Sequence, residues 1–124
     1  MKFQLDEQLG GNVISQHDGR TVWVNSLPYR DSVLVPWRGE VSLWPVHSFE
    51  DLASVHFEQI LALKPELVIL GTGSKLRFPS PALSYSLINA GIGLETMDLG
   101  AACRTYNVLA AEGRAVLAAL LIER

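Results

Sequence analysis

With Cys103 as its single cysteine, this 124-residue chain can form no intrachain disulfide. A lone thiol suits a reducing compartment without requiring one. His17, His47 and His56 fall in separate segments, with neither metal-ligand nor triad spacing, so no metal is expected. Neither sign of charge forms a block, and the net charge is only −3. The electrostatic footprint of a nucleic-acid binder is therefore missing. The longest apolar run, residues 115–122, has eight residues, against the roughly 20 that a spanning helix needs. Residues 1–19 carry neither the apolar run of a signal peptide nor the acid-poor composition of a transit peptide. The expectation is a soluble, cytoplasmic protein with no membrane span.

What is present is a chain that is 48% apolar, enough for one domain over residues 1–124 that buries roughly two-thirds of its unfolded surface. Residues 13–16 and 21–24 read as strands around the turn His17-Asp18-Gly19-Arg20, where Asp-Gly supplies positive φ. Residues 32–35 and 40–43 read as two more, completing an N-terminal β meander. From Ser48 the period changes. Ser48 is a plausible N-cap for a helix whose stripe is Leu52, Val55, Phe57, Ile60, Leu61 and Leu63. A strand at 66–70 follows, then a helix at 82–90 with Ser80 as N-cap and Pro81 at its first position, closed by Gly91. A strand at 92–96, a helix capped by Asp98 and running to about Glu112, and a strand at 114–122 complete the alternation. The fold class is α/β: a layered single domain with a central mixed sheet flanked by helices and the meander added to one side.

In open α/β sheets, ligands bind beyond the carboxyl ends of strands. Gly71-Thr72-Gly73-Ser74-Lys75 follows one strand, and Met97-Asp98-Leu99-Gly100 follows another, just before the helix that bears Arg104. If the two strands are parallel neighbours, these loops share a rim. The glycine loop is not a nucleotide fingerprint, because GTGSKL places Leu76 where GxGxxG needs glycine, and the P-loop spacing is absent. No cofactor is expected. A plain structural reading sits beside the functional one: the glycines serve a tight turn while Lys75 and Arg77 face water.

The helix offers a second candidate set. Ala102, Tyr106 and Leu109 share a packing face, whereas Arg104, Asn107 and Ala111 follow another stripe, and Thr105 and Glu112 return to one side. Either Arg104 forms a buried pair with a carboxylate that fixes the helix, or it faces a partner. Cys103, early in the helix, is either a packing residue or a thiol activated by the helix dipole and Arg104. Trp23, Trp37 and Trp44 are divided between core and interface in the same way. The candidate interaction or ligand site is Gly71, Thr72, Gly73, Lys75, Arg104, Thr105, Asn107 and Glu112, with no catalytic residue assigned.

The strand followed by GTG, then GIGLETMD, then ACRTYNVLAAEGRAVLAALL, resembles the Mth-type domain of unknown function over almost the whole chain. That resemblance implies a single α/β domain with residues 114–122 as the last strand. Mitochondrial members of the family assist assembly of the peripheral arm of respiratory complex I, and no catalytic activity is established for them. The resemblance therefore implies a non-catalytic interaction or assembly module with a protein partner, in a bacterial cytosolic member. Leu99 departs from the threonine found there in many relatives. The alternative is a small-molecule binder or enzyme using the rim around Gly73, Lys75 and Arg104.

Overall fold

The computed structural model describes residues 11–123. Eight strands and three helices succeed one another: β1 (Ile14–His17), β2 (Val22–Val24), β3 (Leu27–Tyr29), β4 (Val33–Pro36), β5 (Ser42–Leu43), α1 (Ser54–Leu61), β6 (Leu67–Gly71), α2 (Tyr85–Asn89), β7 (Gly93–Met97), α3 (Leu99–Ala111) and β8 (Val116–Leu120). Five strands form a mixed sheet in the order β5-β4-β8-β6-β7, and β1-β2-β3 form a separate antiparallel sheet. Strand β8 pairs antiparallel with β4 and parallel with β6, which in turn runs parallel to β7.

Period-two alternation sorts the core onto two faces. Val33, Val35, Ile69, Val116, Ala118 and Leu120 join Ile14, Val22 and Val24 of the small sheet and Leu99, Ala102, Cys103 and Tyr106 of α3. Leu34, Val68, Leu70, Leu117, Ala119 and Leu121 point the other way, onto Phe57 and Ile60 of α1, Leu87 of α2, and Trp44. Each fully buried Val, Leu or Ile contributes about 1.5–3 kcal/mol. The five residues of β8 are all buried, which explains why its sequence is an unbroken apolar run.

Several sequence expectations are corrected. The meander is three-stranded, because Asn25 and Ser26 adopt φ of 53° and 72° and make a two-residue turn into β3, which was not anticipated. Strands β4 and β5 instead belong to the central sheet. The helix begun at Ser48 is one 3-10 turn, Phe49–Asp51, after which Leu52 turns extended and α1 starts afresh. There the Ala53 amide lies 2.9 Å from His56 Nδ1, and His56 Nε2 lies 3.2 Å from the Pro45 carbonyl. The helix at 82–90 is only Tyr85–Asn89, its N-cap being Ser84 rather than Ser80.

Helix α3 follows the sequence more closely. Asp98 Oδ1 accepts from the Ala101 amide at 2.9 Å. Gly113, at φ 85°, ends it, with Gly113 N bonding Ala110 O and Arg114 N bonding Leu109 O, a Schellman closure.

A buried polar hub fastens α3 to both sheets. Tyr106 Oη lies 2.9 Å from the Asn12 carbonyl and 3.0 Å from that of Pro36, while Asn12 Nδ2 donates to Pro36 and Gly39 carbonyls. Asn25 Nδ2 donates to Asn12 Oδ1, joining the β2–β3 turn to the hub. Removing the hydroxyl by Tyr106→Phe leaves buried acceptors without that donor. The expected loss is about 1–2 kcal/mol, read as a fall in melting temperature of roughly 3–8 °C.

Candidate functional site

The conditional rim of the sequence analysis is present: β6 and β7 are parallel neighbours, and their following loops are bonded together. The Thr72 amide donates to the Met97 carbonyl at 2.9 Å, and the Leu99 amide donates to the Gly73 carbonyl at 2.8 Å. Beyond β6 the chain passes to α2 on one face of the sheet, and beyond β7 to α3 on the other, so this rim is the topological switch point. A concavity of about 320 Å³ opens here, lined by Asp18, Gly19, Arg20, Gly73, Ser74 and Glu123.

Of the eight candidate residues, three are engaged in holding the fold. A Cβ on Gly71 would lie 3.0 Å from Ala102 Cβ and 3.1 Å from Leu120 Cδ2, so glycine sets how closely α3 approaches β6. Thr72 is fully buried, its hydroxyl bonded to the Lys75 carbonyl and accepting from the Arg77 amide. Asn107 pairs both its amide groups with Ile14, Oδ1 accepting from the strand's N–H and Nδ2 donating to its C=O, each at 2.9 Å. It thus completes β1 as a neighbouring strand would.

Gly73 is buried at φ 86° and backs onto Glu123. Lys75 is exposed at the loop, and Thr105 is half-buried. Arg104 is exposed and has no hydrogen bond or ion pair among the described residues, which corrects the alternative of a buried pair with a carboxylate. Its Nη1 and the His17 ring lie over Gly100, each 3.3 Å from where a Cβ would stand. Glu112 is exposed at the far end of α3, about 12 Å along the axis from Arg104 at 1.5 Å per residue. Gly71, Thr72 and Gly73 therefore meet the start of α3, but Glu112 does not join them.

Arg77 was expected to face water and does not. Its Nη2 donates to the Thr72 carbonyl at 2.8 Å and to Glu123 Oε1 at 2.6 Å, Nη1 lies 3.6 Å from Glu50, and the guanidinium covers the Phe49 ring at 4.8 Å. Glu123 Oε2 also accepts from the Phe49 amide at 2.8 Å. Neither Glu123 nor this clasp was foreseen. No signal in the sequence marked it: Leu76 and Phe78 would be read as the inward residues, and both are exposed.

Burial pushes the Cys103 thiol up to about 12, with the Arg104 charge only partly opposing it. Cys103 is 1% exposed within the core cluster of α3 and the sheet, which agrees with the packing reading. Burial would also raise Glu123, but the Phe49 amide and Arg77 outweigh it and hold the carboxyl below its ordinary value. Trp44 is likewise a core residue, 1% exposed. Among the described residues, no group of three metal-ligating side chains converges, and no helix is long and apolar enough to cross a membrane.

These features define a layered α/β domain with a rim at the carboxyl ends of β6 and β7. The chain belongs to the family described as Protein of unknown function (DUF498/DUF598), whose model matches residues 14–121. It is similar to mouse NADH dehydrogenase (ubiquinone) 1 alpha subcomplex assembly factor 3, with 36% identity over 80 residues, covering 63% of this chain and 43% of the mouse protein. The chain thus spans less than half the length of that relative. A crystal structure from Bordetella parapertussis superposes with a TM-score of 0.86 at 34% identity, covering 90% of this chain and 96% of that one. A solution structure from Bordetella pertussis, described as a Mth938-like domain, gives 0.80 at 28% identity, covering 90% and 86%. The resemblance to Mth-type domains and the α/β class are both borne out.

The Glu123 clasp carries a pH signature. A carboxyl with a lowered folded pKa stabilises above its unfolded value, and that contribution is lost as pH falls through the folded value. Melting temperature should therefore fall as pH drops from about 5 to 3, and Glu123→Gln should flatten that limb relative to wild type.

Proposed function

We propose that the chain is a non-catalytic protein-interaction module that assists assembly of a respiratory complex, docking through the outer face of α3. The observation that carries the reading is a stripe at i, i+4 and i+8: Arg104, Val108 and Glu112 are all exposed, and neither charge is paired among the described residues. Val108 is 58% exposed between a free cation and a free anion. Tyr106 and Asn107 on the same helix are fully committed inward, so the outward stripe contributes little to folding. Similarity to a complex I assembly factor favours a protein partner. A bacterial, cytosolic setting is part of the same proposal.

The test is a pull-down from soluble and detergent-solubilised fractions with wild type and Arg104→Ala. We expect wild type to capture respiratory-complex subunits and the variant to recover at least tenfold less, with its melting temperature unchanged because Arg104 holds nothing inside. Equal capture by both proteins would refute the docking face.

The second reading, a small molecule at the rim of Gly73, Lys75 and Arg104, is favoured by the 320 Å³ concavity beside Gly73. A ligand bound only to the native state raises the melting temperature by mass action. A metabolite thermal-shift screen should give no shift if docking through α3 is the whole function, and a saturable shift lost in Gly73→Val would overturn that.

A further inference from the structure

The sheets have four edges, and three are blunted. Strand β5 is two residues long, β3 carries Pro28, and on β1 the Asn107 amide takes both backbone groups of Ile14. The remaining edge, β7, is five residues long, contains no proline, and pairs only with β6 among the described residues.

Two printed bonds decide which of its groups are open. Gly93 N donates to the Glu66 carbonyl, and Met97 O accepts from Thr72 N. Backbone groups alternate sides along a strand, so Gly93, Glu95 and Met97 face β6, whereas Leu94 and Thr96 direct their N–H and C=O groups away from it. No described backbone group bonds to those four.

We propose that β7 accepts an extended segment of a partner protein as a sixth strand, with a lysine or arginine opposite Glu95. This rests on the reading of the chain as a protein-interaction module and adds to the α3 face a second, separable contact at the sheet edge. Glu95 is exposed at the middle of the strand. It selects the occupant by charge. A second copy pairing antiparallel about the strand centre would set Glu95 against Glu95, a like-charge pair directly opposite, which is unfavourable. A basic residue there is favourable instead. Leu94 and Thr96 are half-buried on the opposite face of the strand, so the segment's neighbouring positions are apolar or β-branched.

The experiment uses seven-residue peptides of alternating valine and threonine with lysine or glutamate at the centre, titrated into the full chain and followed by amide NMR. The lysine peptide should slow exchange at Leu94 and Thr96 and bind about fivefold more tightly than the glutamate peptide, and Glu95→Lys should reverse the order. Thr96→Pro removes an outward N–H while sparing the ladder to β6, so it should abolish binding and keep a cooperative melt. Absence of protection at both amides, no dependence on peptide charge, or wild-type self-association lost in Thr96→Pro would each overturn the proposal. Capture of respiratory-complex subunits lost in Arg104→Ala but retained in Thr96→Pro would refute strand addition and leave the α3 reading standing. Loss in Thr96→Pro with retention in Arg104→Ala would do the reverse.

Discussion

Helix α3 lies against the sheet as it does because residue 71 has no side chain. Gly71 sits at the end of β6, under the first turn of the helix, where a Cβ would stand 3.0 Å from Ala102 Cβ and 3.1 Å from Leu120 Cδ2 and would press on both. Much follows from that approach. It brings the amide of Leu99 to the carbonyl of Gly73 and ties the two loops of the rim together. It also lowers Tyr106 far enough to reach the carbonyls of Asn12 and Pro36, which fastens the small sheet to the large one. A bulkier residue would press on Ala102 and Leu120, the contacts through which α3 seats on β6 and β8.

The parts of this architecture that were legible in the sequence are those set by local chemistry. Asp98 and Gly113 bracket α3 because an aspartate accepts from the first turn and a glycine tolerates positive φ after the last. The unbroken apolar runs of β4, β6 and β8 follow from burial on both faces of the sheet. The misplaced elements depended on contacts distant in sequence. The apolar stripe from Leu52 to Leu63 reads as one helix, but Leu52 turns extended between the 3-10 turn and α1, its side chain buried in the cluster that holds Trp44 and Leu121. The turn at Asn25-Ser26 was locally encoded and overlooked, since asparagine tolerates left-handed geometry.

The candidate site was readable in the same uneven way. Polar residues within an apolar helix marked a region of consequence, but residue type does not reveal direction. Asn107 and Thr72 turn inward and serve as substitutes for backbone partners, while Arg104 turns outward. Arg77 shows the converse error: an arginine in a polar loop reads as solvent-facing, yet it draws together the 3-10 turn, the end of β6 and the residue that follows β8. Only long-range geometry distinguishes these cases, because their immediate sequence neighbours are similar in character.

The middle of the large sheet is occupied by the strand that is synthesised after all the others. Strand β8 joins β4 to β6, so neither half of the sheet has its neighbour until residues 116–120 have left the ribosome. Closing the large sheet therefore waits on its last strand in sequence, and each half gains its central partner only through pairings distant along the chain.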